Sequence, residues 1–153
     1  MLSRRVLTRA LGVDPGLVRL DQVEVINDEL LSWLRPRARH RWRCPHCQQR
    51  RAGYDQGRVR RWRTLDFGRT KVFICARVPR VSCAEHGVVV AAVPWARHAA
   101  RHTRAFDEVA AWCAVEMSGS AASRLLRCSW RVIGASVARG AADLRAGADD
   151  LDG

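Results

Sequence analysis

Hydrophobic and polar positions alternate in short runs over the first ninety residues, whereas beyond residue 100 the apolar positions recur every three or four residues. Residues 20–26 and 30–34 read as short strands, with Asn27-Asp28 as the polar turn between them. Further strands are predicted at 59–65 and 71–78, where Val72, Ile74, Ala76 and Val78 share one face. The turn joining this pair is placed at Asp66-Phe67-Gly68, and the apolar run 88–93 reads as a last strand.

In the second part Thr103 caps a helix running to about residue 117, with Phe106, Ala110, Cys113 and Met117 on one stripe. Ser118-Gly119 stops it. Ser120 begins a short helix ending near 127, and Ser129 caps another reaching about 139. The fold class expected is α+β, a β-rich part followed by a helical one. Boundaries are set at 1–43 (strands and a basic segment), 44–94, 98–145 and an acidic tail, 146–153.

Charge changes the picture. The 153 residues carry a net charge of +12, and Lys71 is the one lysine among 27 cationic residues. Between Arg35 and Arg80 stand 14 arginines and Lys71 against Asp55 and Asp66 alone, so one third of the chain holds the whole excess. A surface this positive attracts a polyanion, and nucleic acid is the leading choice. A membrane is not expected as a partner, because no basic amphipathic helix rich in Phe or Leu appears and no apolar run is long enough to span a bilayer. Ser3-Arg4-Arg5 superficially resembles an export signal, but Asp14, Pro15 and Arg19 interrupt the apolar run such a signal needs. A cytoplasmic, nucleoid-associated protein is expected. Six cysteines in that reducing compartment point to metal or burial rather than disulfides.

Cys44-Pro-His-Cys47 and Cys83-Ala-Glu-His86-Gly87 are the sharpest local signal. Two such knuckles supply four ligands for one tetrahedral zinc, and the 35 residues between them hold strands, the layout of a zinc ribbon. Four protein ligands close the site, which makes the ion structural. Gly87 suits the positive φ such a turn needs. His46, inside the first knuckle, reads as a bystander. Cys75, Cys113 and Cys128 read as small buried hydrophobes.

Residues 120–137 form a helix, a tight turn at Cys128-Ser129 and a capped second helix, a helix-turn-helix pattern. Leu125, Leu126, Cys128, Ile133 and Val137 are expected inside. Ser129, Trp130, Arg131, Gly134 and Ala135 then lie at the exposed start of the second helix, where recognition helices meet base edges. Arg35, Arg37, Arg39, Arg41 and Arg43 alternate, which would place all five on one side of a strand. Arg60, Arg61 and Arg63 extend the patch, with Trp42 and Trp62 interleaved, and phosphate contact is the expected role.

Several motifs occur together and in order: Cys44-Pro-x-Cys47, Gly53-Tyr54-Asp55, Arg61-Trp62-Arg63-x-Leu65-Asp66, Arg80-Val81-x-Cys83-x-x-His86-Gly87 and Val93-Pro94-Trp95-Ala96. They resemble the front region of the bacterial insertion-sequence transposases called the ISL-three family, and Phe106 with Ser129-Trp130-Arg131-Val132-Ile133-Gly134 is similar to that family's helix-turn-helix. The resemblance implies a zinc ribbon and a DNA-binding helix-turn-helix that precede a DDE catalytic domain of RNase H-like fold. The acids here (Asp55, Asp66, Glu85, Asp107, Glu108, Glu116) are scattered and form no carboxylate trio for two metal ions. The expectation is therefore a non-catalytic module that recognises the double-stranded DNA of transposon ends. Itself or a full-length transposase would be further partners. Competing readings are a regulator, a zinc-stabilised protein-interaction module, or a subunit of a split transposase.

Overall fold

In the computed structural model, residues 2–149 are described, and they form two compact units that part after Thr103. The first unit contains α1 (Arg4–Ala10), β1 (Val18–Ile26), β2 (Glu29–Pro36), β3 (Ala52–Arg63), β4 (Lys71–Cys83) and β5 (Gly87–Val90). The second contains α2 (Arg104–Glu116), α3 (Gly119–Leu126) and α4 (Trp130–Asp149). The expected α+β class is what the chain adopts. The acidic tail begins inside α4, and residues 150–153 lie outside the described residues.

The strands form one sheet in the order β1-β2-β4-β3, with β5 also pairing β4. Asn27 and Asp28 both take positive φ, 52° and 61°, in the two-residue turn that matches hairpin twist, so Ile26 pairs with Glu29. β2 then runs parallel to β4, pairing Leu30 with Val72 and Ser32 with Ile74. The first two strands therefore extend the sheet whose β4 carries Cys83 of the second knuckle.

One face of this sheet is the core. Val72, Ile74, Ala76 and Val78 line it as the alternation requires, joined by Leu20, Leu34 and Trp62. Leu11 and Val13, which follow α1, and Trp95 with Ala96 cover it. Trp62 and Trp95 meet edge to face at 5.4 Å, a favoured aromatic geometry. Trp62 thus belongs to the core and not to an arginine patch. β5 is shorter than the apolar run 88–93: the Ala91 N–H still donates to the Pro79 carbonyl of β4, but the Ala92 N–H turns to the Arg43 carbonyl outside the named strands.

Within the helical unit, Phe106, Ala110 and Cys113 of α2 are buried as the stripe predicts. Met117 lies just past the helix, its N–H on the Cys113 carbonyl. Among the described residues no helix is long and apolar enough to cross a membrane.

Candidate metal centre and nucleic-acid interface

Four side chains converge where β4 and β5 turn back beside the first knuckle. The ligand atoms of Cys44, Cys47, Cys83 and His86 all lie within 4.8 Å of one another. Cys47 Sγ is 3.9 Å from Cys83 Sγ, and His86 Nδ1 is 3.6 Å from Cys44 Sγ and 3.5 Å from Cys83 Sγ. A tetrahedral zinc with Zn–S of about 2.3 Å and Zn–N of about 2.0 Å requires edges of about 3.8 Å between sulfurs and about 3.5 Å between sulfur and nitrogen. The donor set therefore fits one zinc ion, closed by protein ligands and structural in type.

The backbone prepares the thiolates. Burial pushes the Cys83 thiol up, but the backbone N–H groups of Glu85 and His86 and the neighbouring cysteines pull it down to about 7. Cys47 is lowered first by the Gln49 backbone N–H, with Arg51 adding to it. Gly87 takes φ of 74° at the β4–β5 turn. His46 is not one of the ligands; its ring sits between those of His86 and His98, 5.0 and 4.9 Å from each.

In the second unit, the Ser118 hydroxyl accepts the Ala121 N–H and starts α3, two residues ahead of the expected Ser120. Arg127 takes the left-handed conformation that ends α3, and the Ser129 hydroxyl accepts the Val132 N–H at the start of α4. Ala122 and Leu126, four residues apart, face inward on α3, and Ile133 and Ser136, three apart, do so on α4. Leu125 and Val137 do not lie inside as expected: each is offset by one position from these inward stripes, and both are exposed. Cys128 is half-buried, whereas Cys75 and Cys113 are fully buried. Ser129, Trp130, Arg131, Gly134 and Ala135 are all exposed at the start of α4. The Trp130 ring nevertheless lies on Gly119, close enough that any Cβ there would fall 2.8 Å from it.

Residues 40–86 match the family model described as the zinc-finger of transposase IS204/IS1001/IS1096/IS1165. Residues 91–139 match the helix-turn-helix domain of transposase family ISL3. The chain carries the zinc-finger and helix-turn-helix domains of the ISL3 transposase family. It is 43% identical over 150 residues to the "Transposase for insertion sequence element IS1557" of Mycobacterium tuberculosis strains CDC 1551 / Oshkosh and ATCC 25618 / H37Rv. That similarity takes in 94% of this chain but 34% of each relative, so the chain spans about a third of their length. No solved structure matches it.

The ISL3 zinc-finger domain does not display its arginines as the alternation suggests. Arg35 stands next to last in β2, a 3₁₀ turn follows at Ala38–His40, and Arg43 makes only an isolated bridge to Arg50, so the five arginines share no strand face. Pro36 and the turn break the extended run. Most of these guanidiniums bind the protein itself. Arg35 pairs with Asp21 at 3.0 Å. Arg37 donates to the Pro15 carbonyl and Arg41 to the Pro36 carbonyl. Arg43 clamps the first knuckle by donating to the Arg39 and Gln48 carbonyls. Arg39 donates to His40 and stays exposed. Trp42, half-buried, packs on Gly53 and the edge of the core.

Of the β3 arginines, Arg60 is exposed, Arg61 pairs with Glu29 and lies 4.0 Å over the Phe73 ring, and Arg63 is buried against Asp66. Sequence reasoning passed over Arg51, whose guanidinium reaches Cys47 Sγ at 3.5 Å. It also passed over the pair of Asp107 and Arg139, bonded twice at 3.0 and 2.7 Å. An acid on the inward stripe of α2 was the available signal for that pair.

Proposed function

We propose that this chain is the DNA-recognition region of a transposase and binds the double-stranded ends of an insertion element. The observation that carries the reading is the division of α4. Ile133 and Ser136 hold one side inward, while Arg131, Gly134 and Ala135 leave the opposite side open and sterically slim at the helix start. A helix in the major groove reads base edges from that position, and small residues allow close approach. Arg131 is assigned a bidentate contact to guanine. Ser129 and Trp130 are assigned neighbouring backbone or thymine-methyl contacts. The zinc, held by Cys44, Cys47, Cys83 and His86, fixes the β4–β5 end of the sheet. Among Arg35, Arg37, Arg39, Arg41, Arg43, Arg60, Arg61 and Arg63, Arg39 and Arg60 suit phosphate contact best, being exposed and, among the described residues, without a carboxylate partner.

Strand cleavage is assigned elsewhere. Among the described residues the zinc set is the one group of three or more His, Cys, Asp or Glu side chains placed to hold a metal, and no carboxylates converge. Self-association or docking to a full-length transposase, and residence on the nucleoid, follow as parts of the same proposal. Salt-titrated binding of wild type and Arg131→Ala to element-end and scrambled duplexes tests it. Arg131→Ala is expected to weaken the element-end duplex about tenfold to a hundredfold, the value of one good base contact, and to narrow the preference over the scrambled one. Equal weakening of both duplexes, or Mg²⁺-dependent nicking by the purified chain, would refute the assignment.

A further inference from the structure

Residues 2–39 lie outside both segments that match the ISL3 domains, and they hold α1. The first turn of this helix is charged against its own stability, although Arg9 in the last turn is favourably placed. Arg4 and Arg5 stand in its first turn with no acid there, although the positive end of the helix dipole disfavours cations. Arg5 and Arg9 are four residues apart, a spacing at which like charges repel. The carboxylate of Asp14 accepts the Gly16 N–H, and among the described residues no ion pair forms at Arg4, Arg5 or Arg9. Arg35, Arg61, Arg63, Arg80, Arg104 and Arg139 each meet a carboxylate, so Arg4, Arg5 and Arg9 belong with Arg39 and Arg60 among the cations left for an outside anion.

The helix is nonetheless held firmly. Leu7 packs against the core, Thr8 is buried with its hydroxyl on the Arg4 carbonyl, and Leu11 beyond the C-terminus is almost wholly enclosed. The arginines are therefore presented from a docked element and not from a loose arm. Arg5, Val6, Arg9, Ala10 and Pro15 line an open depression of about 260 Å³. Two arginines and three apolar residues lining one depression suit a phosphodiester with its deoxyribose: guanidiniums can take the phosphate oxygens and aliphatic groups the sugar.

We infer that α1 is a second DNA-backbone contact surface, with Arg5 and Arg9 gripping phosphates of the duplex. The inference rests on the proposed DNA binding and adds a site that is independent of sequence. Bound phosphates relieve both the dipole conflict and the Arg5–Arg9 repulsion.

The test is a salt titration of the full chain, zinc-loaded, on a 20-base-pair duplex of arbitrary sequence. Arg5→Ala/Arg9→Ala is expected to reduce the slope of log affinity against log salt by about 0.9 for each phosphate that is no longer neutralised. Arg5→Lys/Arg9→Lys should keep the slope, because lysine still neutralises phosphate, and matched melting curves check that both variants fold. A wild type that binds no duplex overturns the DNA-binding reading together with this one. A wild type that binds, with an unchanged slope in the alanine variant, overturns the α1 surface alone. So does an unchanged slope accompanied by loss of binding to phosphatidylserine vesicles, which would assign α1 to anionic lipid.

Discussion

The guanidinium of Arg51 stands 3.5 Å from Cys47 Sγ, a ligand of the zinc-binding set, while its backbone N–H donates to the Trp42 carbonyl at 2.7 Å. Three thiolates and a neutral histidine around Zn²⁺ leave one net negative charge. Arg51 is the cation placed to balance it, and its own pKa is raised by Cys47 first and by Cys83. Outer partners of this kind commonly tune metal affinity by tenfold to a hundredfold. Arg51→Met, which keeps the length and removes the charge, should weaken zinc retention about tenfold in chelator competition. Arg51→Lys should fall between it and wild type. Identical zinc release in all three proteins would remove Arg51 from the metal centre.

Gly57 and Gly68 offer a matched pair for measuring backbone constraint. Both have positive φ, 63° and 57°. A Cβ on Gly57 would meet the Val78 carbonyl oxygen at 1.8 Å, where the β3–β4 register slips between Asp55 and Arg58. A Cβ on Gly68 meets nothing within 4 Å. Gly68→Ala should cost only the left-handed strain, about 1 kcal/mol. Gly57→Ala adds a backbone collision inside a ladder and should cost at least about twice that in denaturant unfolding. Equal costs would mean the bulge relaxes freely.

Much of the fold and of the metal centre is legible in the amino-acid pattern, and the parts that are not have local causes. Period-two alternation gives the strand core because Val72, Ile74, Ala76 and Val78 share the face that packs into it, although Phe73 and Cys75 on the other face are buried as well. The metal set is readable because short knuckle spacing constrains geometry by itself. The parallel pairing of β2 with β4 is not, since register between distant strands leaves no local mark. The arginine run misleads for a related reason. Its alternation is real, but Pro36 and the 3₁₀ turn at Ala38–His40 break the strand, and backbone carbonyls take up the guanidiniums. α1 escapes notice because seven residues with three arginines show too little apolar periodicity. α4 runs beyond the expected end at 139, because the alanine-rich stretch to Asp149 favours helix even with Gly140 and Gly147 in it.

The pair of Asp107 with Arg139 fastens α2 to α4. Asp107 is 1% exposed, the Arg139 side chain 23%, and Arg139 also donates to buried Ser136. Removing one partner of a buried pair strands the other's charge, which typically costs about 3 kcal/mol. Arg139→Met should therefore destabilise the helical unit strongly. Asp107→Leu/Arg139→Met, which leaves no buried charge, should recover a large part of the loss. The double-mutant comparison in thermal melts decides it, and a double variant as unstable as Arg139→Met would show that packing and not charge sets the cost.

Zinc removal should separate the two units. All four ligands belong to the first unit, and Cys83 ends the strand that pairs with β2, β3 and β5, so the ion secures the element at the centre of the sheet. Without it, three thiols and His86 lose their common partner, and folding and metal binding in such sites are coupled. The helical unit contributes no ligand, and its own core is Phe106, Ala110, Cys113, Ala122, Leu126 and Ile133. Chelation is therefore expected to expose Trp62 and Trp95 to water, seen as a red shift in fluorescence, while most helical circular dichroism survives. Cys44→Ser should reproduce the chelated state without chelator, because Cys44 is the fully buried ligand of the first knuckle. Single-step loss of both signals would show that the helices depend on the metal-held sheet. No change in either signal would show that the sheet core stands without zinc.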